Sequence, residues 1–191
     1  MRSFGAITVV NAIPCGIGAA VGIDLVTCAG FTVGGTERTV RIINDPCEDP
    51  TMARICVSDT FKRFNVDEPD GWDLSVDSQI PVSRGLKSSS SACNAIISSV
   101  ADHIVREYGG NGFGTGKEGM LEMIRFGVGC AIKAGVTVTG AFDDACACHL
   151  GGLVITENTN NALLRHDDTE GNDVLLLIPE AKIRKPSLNA E

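Results

Sequence analysis

Apolar residues divide the first half of the chain into several strands and one helix. Residues 6–10, 19–33 and 39–43 are rich in small and branched apolar residues, and the third run alternates with period two, as half-buried strands do. Residues 52–64 carry apolar residues at helical spacing with charges between them, and residues 72–76 favour one more strand. The first half is therefore predicted to be β-rich around a single helix.

The second half favours helices. Apolar residues from Ala92 to Ile104 fall on one broad face, and the glycines at 109 and 110 end this helix. A second long helix is predicted over residues 117–134, and a short one over residues 145–150. Residues 151–156 and 174–178 are predicted strands joined by a polar loop. Strands followed by long helices predict a layered α+β domain.

Composition narrows the classes of function. The 191 residues suffice for one sizeable domain, or for one domain and part of another. The net charge of −8 argues against nucleic-acid and anionic membrane surfaces as partners, because both require a basic face. No apolar run is long enough to span a membrane, and the first residues lack a signal-peptide pattern. We therefore expect a cytoplasmic protein that binds neither nucleic acid nor membrane.

The eight cysteines mostly lie among Ala, Val and Gly, where cysteine behaves as a small buried apolar residue. We expect reduced thiols rather than a disulfide framework, because the chain is longer than the secreted scaffolds that depend on disulfides. Cys146, Cys148 and His149 are close in sequence, but no second Cys/His pair matches them, so a zinc site is not expected.

Residues 80–95, IPVSRGLKSSSSACNA, form the strongest candidate for chemistry. Pro81 and Gly85 bend the chain, and Arg84 and Lys87 add positive charge directly before serines 88–91. The unpaired N–H groups and the dipole of a helix N-terminus favour an anion at this point. The pattern predicts a phosphate-binding loop; the alternative is an ordinary serine N-cap in a solvated loop.

A second candidate lies in residues 135–145, GVTVTGAFDDA. Asp143 and Asp144 stand among apolar neighbours, and adjacent carboxylates can divide between orienting a substrate hydroxyl and holding Mg²⁺. Alternatively, one of them caps the short helix over residues 145–150, and the two interpretations are compatible. A third polar cluster occupies a glycine turn between two strands, which a simple hairpin explains equally well; it comprises Arg2, Asn11, Pro14, Gly16, Gly18 and Asp24.

Taken together, these segments resemble the GHMP kinase superfamily, named for galactokinase and the homoserine, mevalonate and phosphomevalonate kinases. Residues 81–92 match its signature P-x-x-x-G-L-x-S-S-A with extra serines. Three segments are similar in sequence to the archaeal shikimate kinases: residues 83–90, residues 136–145, and residues 10–14 with the Gly-Ala-Ala at 18–20. The resemblance covers essentially the whole chain.

This resemblance implies ATP-dependent phosphorylation of the 3-hydroxyl of shikimate, a small-molecule substrate on the route to chorismate and the aromatic amino acids, with Mg²⁺ as cofactor. It implies an α+β fold with a domain like ribosomal protein S5 domain 2 over residues 1–155 and an incomplete ferredoxin-like C-terminal domain over residues 156–191. Asp143 matches the position of the proposed catalytic base, Asp144 is the second choice, and Ser89 is the candidate metal ligand. The implied ATP-binding residues are Pro81, Arg84, Gly85, Leu86, Lys87, Ser88, Ser89, Ser90 and Ser91.

Two departures from the family pattern bear on activity. Many members carry a lysine in the first motif, where this chain has Ile17, and Lys87 or Arg84 is the candidate replacement. The third glycine-rich motif of the family does not occur before Glu191, so we expect a chain truncated at its C-terminus. The alternatives are a kinase for homoserine or mevalonate, and an inactive nucleotide-binding remnant.

Overall fold

The computed structural model describes residues 1–137, 139–169, 171 and 173–178. Runs of strands and runs of helices form an α+β arrangement, which confirms the predicted fold class. The elements are β1 (Arg2–Val10), β2 (Ile17–Val33), β3 (Arg38–Ile42), α1 (Thr51–Arg63), β4 (Trp72–Ser78), α2 (Ser88–Tyr108), α3 (Gly116–Lys133), α4 (Phe142–Leu150), β5 (Leu153–Glu157) and β6 (Ala162–Asp167). The strands and helices predicted before residue 157 are all present, with ends shifted by a few residues.

The long strand β2 organises the six-stranded sheet, whose order is β3-β4-β2-β5-β6 with β1 also paired to β2. Residues 19–21 of β2 pair with both β1 and β5, and residues 27 and 28 pair with both β1 and β4. Because a strand has only two edges, β1 occupies one edge of β2 while β4 and β5 share the other. The β1–β2 connection is the tight hairpin anticipated from the glycine turn, with the Gly16 N–H donating to the Ala12 carbonyl (2.7 Å).

The helices pack together against the sheet in one continuous core. Ile96, Val100 and Ile104 recur at helical spacing on α2 and are fully buried, as the predicted apolar face requires. They meet Phe31 and Leu74 of the sheet within the same cluster. This packing fixes the N-terminal ends of α2 and α4 relative to the sheet.

Two predictions for the last part of the chain are wrong. The polar loop expected after residue 156 contains β6, an edge strand paired with β5, whose second half (Arg165, His166 and Asp167) has the polar composition of a loop. Residues 174–178, predicted as a strand, have no regular secondary structure, and Leu175 and Leu177 are each 88% exposed. Apolar composition does not form a strand without a neighbouring strand to pair with.

The predicted domain boundary after residue 155 falls inside β5, which pairs with β2 and β6. The division into residues 1–155 and 156–191 stays a prediction. The polar segment beyond residue 178 lies outside the described residues.

Candidate active site

The serine run opens helix α2, but it does not cap it. The N-cap residue is Lys87, in the left-handed region (φ 63°, ψ 33°), and among the described residues no side-chain hydrogen bond caps this helix end. The first backbone bond of the helix runs from the Ser91 N–H to the Lys87 carbonyl (3.0 Å). The N–H groups of residues 88–90 therefore have no partner within the helix. This end of a 21-residue helix retains the unpaired donors and the positive dipole end that attract an anion.

The loop before α2 is anchored against the sheet. Leu86 is buried with Ile23 and Ile80, and its carbonyl accepts the Ala6 N–H of β1 (3.2 Å). Pro81 and Arg84 are half-buried in the same loop, and Gly85 is exposed with a positive φ of 81°. A Cβ on Gly85 would meet nothing within 4 Å, so the loop is open to solvent at this point.

Ser91 differs from the three serines before it. Its side chain is fully buried, and its hydroxyl donates to the Ser3 carbonyl of β1 (3.2 Å). Ser88, Ser89 and Ser90 are only half-buried. The Ser91 hydroxyl therefore serves to hold α2 against β1, whereas the hydroxyls of the other three serines lie nearer the surface.

Asp143 and Asp144 lie in the first turn of α4, inside the helix. The helix begins at Phe142, three residues earlier than predicted, and its N-cap is Ala141 in the left-handed region (φ 46°). The alternative role for these aspartates as caps is therefore wrong, since neither occupies the cap position. Both are buried, with exposed fractions of 4% for Asp143 and 8% for Asp144. The positive end of the α4 dipole stabilises negative charge here.

Helices α2 and α4 meet through an ion pair between the two candidate motifs. Lys87 Nζ lies 2.9 Å from Asp144 Oδ2, and the Thr8 hydroxyl donates to the other carboxylate oxygen (3.4 Å). Burial raises the pKa of Asp144 above its ordinary value of 3.8, an effect that the Lys87 charge opposes and the Asp143 charge reinforces. The sequence predicted two separate motifs, and the structure brings them into contact.

Asp143 is held from a different direction. The Asn158 side-chain amide donates to Asp143 Oδ1 (2.8 Å), and the second carboxylate oxygen lies over Gly18 of β2. A Cβ at Gly18 would lie 2.7 Å from Asp143 Oδ2, so only glycine leaves room for this carboxylate. Gly18 belongs to the third polar cluster named from the sequence, and Asp24 of that cluster is exposed elsewhere on β2.

Sequence reasoning missed Asn158 and Thr8 as neighbours of the aspartates. Asn158 follows β5 in a polar stretch with the composition of an ordinary turn, and Thr8 is one of several β-branched residues in β1. Neither position carries a local signal, because each contact depends on how distant segments pack.

A groove of about 810 Å³ lies beside β1 and β2, and its lining residue Ile23 belongs to the same apolar cluster as Leu86. Its walls include Phe4, Asp24 and Leu150, and none of its lining residues belongs to the serine loop or to the aspartate pair. The volume of this groove is therefore not the feature that identifies the candidate active site. The N-terminal end of α2 and Lys87 place positive charge beside two buried carboxylates, those of Asp143 and Asp144.

The described residues show no cluster of three or more His, Cys, Asp or Glu side chains arranged to hold a metal ion. All eight cysteines are free thiols. Within the described part of the chain, no helix has the length and apolarity needed to cross a lipid bilayer.

Comparison with known proteins assigns the class. The family model for the GHMP kinases N terminal domain matches residues 51–152, so the chain belongs to the GHMP kinase family. It is 39% identical over 189 residues to the shikimate kinase of Methanothrix thermoacetophila and 37% identical over 185 residues to that of Thermococcus kodakarensis. These matches cover 99% and 96% of the chain, but the chain spans only 60% and 64% of the length of these relatives.

Solved structures share the fold. The crystal structure of the Methanococcus jannaschii mevalonate kinase aligns with a TM-score of 0.70 at 16% identity, covering 89% of this chain and 56% of that one. The Lactococcus lactis galactokinase complexed with galactose aligns with a TM-score of 0.58 at 14% identity, covering 85% and 45%. These likenesses support the predicted GHMP kinase-like α+β fold.

Proposed function

We propose that this chain is part of, or is itself, a kinase that transfers a phosphoryl group from ATP to the 3-hydroxyl of shikimate. The observation that carries the proposal is the Lys87–Asp144 ion pair, which places the open N-terminus of α2 beside two buried carboxylates. Similarity to shikimate kinases over nearly the whole chain supports shikimate as the alcohol. The mevalonate kinase likeness, at 16% identity, supports the fold alone.

The residues at the start of α2 fit the polyphosphate of ATP. The N–H groups of residues 88–90 are unpaired within the helix, and the exposed Gly85 lets a ligand approach the backbone. We assign Lys87 and Arg84 as the cations of this loop, with Pro81 and Leu86 fixing its shape. ATP supplies the phosphoryl group when bound.

Mg²⁺ also fits this arrangement. In nucleotide sites Mg²⁺ takes most of its ligands from phosphates and water and only one or two from the protein, so a preformed cluster of three side chains is not required. We assign the half-buried Ser89 hydroxyl as a protein ligand. The buried Ser91 hydroxyl already donates to the Ser3 carbonyl, and it is better suited to holding α2 against β1.

The two aspartates have different roles in this proposal. Asp144 already accepts contacts from Lys87 and Thr8, so we assign it to holding the lysine beside the phosphate loop. Asp143 keeps one oxygen toward Gly18 and is assigned to orient the substrate hydroxyl and accept its proton. Because phosphoryl transfer depends mainly on positioning and charge neutralisation, no strong nucleophile on the protein is required.

We also place the protein in the cytoplasm. The eight free thiols support this location, because reducing compartments preserve unpaired cysteines. Three thiols are exposed, and an oxidising compartment would leave them open to pairing between chains.

A coupled-enzyme assay of ADP release with shikimate, homoserine and mevalonate tests the proposal. We expect release that depends on shikimate and is absent with the other two alcohols. ADP release with only mevalonate or only homoserine would contradict shikimate as the substrate and assign that alcohol in its place. Absence of release with all three, alongside measurable ATP binding by calorimetry, would favour the inactive nucleotide-binding remnant.

A further inference from the structure

Asn158 lies where it can control the orientation of Asp143. Its side-chain Nδ2 donates to Asp143 Oδ1 (2.8 Å), and its own Oδ1 accepts the Thr156 hydroxyl (2.6 Å). A carboxylate can only accept hydrogen bonds, so the amide nitrogen must face Asp143, and the Thr156 hydroxyl satisfies the opposite end. The two contacts together fix which way the amide points.

The backbone makes this arrangement rigid. Thr156 is fully buried on β5 and pairs with Gly18 of β2 in the sheet register. The Asn158 N–H donates to the Gly16 carbonyl (2.7 Å), which ties the end of β5 to the β1–β2 hairpin. The glycine that gives Asp143 its space and the asparagine that holds it are therefore fixed by the same pair of strands.

The second oxygen of Asp143 is treated differently. Among the described residues, none donates a hydrogen bond to Oδ2, although the residue is only 4% exposed. The two oxygens of a buried carboxylate are thus distinguished, one held by an amide and one left to accept from elsewhere. A proton acceptor needs a carboxylate of fixed orientation, because a carboxylate that rotates freely loses its alignment with the substrate.

We propose that Asn158 is a positioning residue for phosphoryl transfer: with Thr156 behind it, it locks Asp143 so that Oδ2 faces the substrate hydroxyl. The proposal rests on the proposed function, and it adds a residue outside the two recognised motifs. Asn158 acts through Asp143 and does not itself touch the reacting atoms.

Kinetics of three variants test the role. Asn158→Ala should lower kcat about 10- to 100-fold, since a shift of the acceptor by about an ångström costs on this order. The KM for ATP should change little, because the interaction lost lies outside the phosphate loop. Thr156→Val, which keeps the shape of the side chain, should give a smaller loss. The double variant should have the same kcat as Asn158→Ala, because Thr156 acts only through Asn158.

Asn160→Ala is the matched control. Asn160 lies in the same turn, and its side-chain amide donates to Glu157 (2.7 Å) rather than to an aspartate of the site. It should leave kcat unchanged. Thermal unfolding of each variant shows whether a loss of kcat reflects a loss of fold.

A measurement without substrate separates this inference from the proposed function. In the ¹⁵N–¹H NMR spectrum, the side-chain amide signals of Asn158 should shift on Asp143→Ala and stay in place on Asn160→Ala. Unshifted signals in Asp143→Ala would overturn the inference, as would an Asn158→Ala variant with the kcat of the unsubstituted chain. If the unsubstituted chain turns over no alcohol, the proposed function fails, and the NMR comparison still decides whether Asn158 holds Asp143.

Discussion

Gly18→Ala places a methyl group against the carboxylate of Asp143. The added Cβ would lie 2.7 Å from Asp143 Oδ2, 2.8 Å from its Cγ and 3.0 Å from the Cβ of Ala12. Gly18 is not among the residues with positive φ, so the backbone accepts alanine and only the contacts resist it. The substitution therefore tests the placement of Asp143 by a steric change on a neighbouring strand.

The geometry sets the expected magnitude. Ordinary van der Waals contact begins near 3.4 Å, so the carboxylate must retreat from 2.7 to 3.4 Å, a displacement of about 0.7 Å. Because misplacement of a reacting group by about 1 Å costs on the order of 100-fold, we expect kcat to fall about 10- to 100-fold. Overpacking a buried site of this kind should also cost about 1–3 kcal/mol of unfolding free energy.

The assay compares shikimate-dependent ADP release and urea unfolding of Gly18→Ala with those of Gly129→Ala. Gly129 is exposed near the C-terminal end of α3, and a Cβ there would meet nothing within 4 Å. Gly129→Ala should keep full kcat and gain about 0.5–1 kcal/mol of stability, because alanine favours helix. A Gly18→Ala variant with unchanged kcat would refute the placement of Asp143 as the group that orients the substrate.

The serines, the thiols and the half-buried His149 provide three further tests. Ser89→Ala should weaken Mg·ATP binding in calorimetry, whereas Ser91→Ala should leave affinity unchanged and lower stability by about 1 kcal/mol through its lost hydrogen bond; the reverse pattern would contradict the assignment. Ellman's reagent should titrate three thiols in the folded chain and the other five only after unfolding, since those five are buried away from the reagent. Burial also raises the pKa of Cys146 to about 12. Burial lowers the pKa of His149 below 6.5, so the unfolded chain binds a proton first and stability should fall as pH drops from 6.5 toward the lowered value. Thermal unfolding of His149→Gln should lack this component, and an identical pH dependence in the two proteins would contradict the shift.

The two chemical motifs could be predicted because each is a local pattern. A serine run before an apolar helical face indicates a helix N-terminus without any knowledge of the rest of the fold. The Asp143–Asp144 pair likewise marks the start of α4 to within three residues. The elements before residue 157 were likewise predictable from spacing, since their apolar faces meet a core.

The contacts between segments were not predictable in the same way. The Lys87–Asp144 ion pair and the hydrogen bond from Asn158 to Asp143 each join two different segments of the fold. Each depends on the register of strands and the packing of helices. Strand β6 was missed because an edge strand tolerates polar residues, and residues 174–178 were misassigned because an apolar run does not reveal whether a partner strand is present.

The central claim is that the ends of α2 and α4 form a phosphoryl-transfer site with Asp143 as the proton acceptor. The most direct measurement follows shikimate, ATP and Mg²⁺ by ³¹P NMR with the unsubstituted chain and with Asp143→Asn, alongside calorimetric ATP binding to both. We expect shikimate 3-phosphate to form with the unsubstituted chain and not with Asp143→Asn, while the two bind ATP with similar affinity. Equal product formation by Asp143→Asn would contradict the claim.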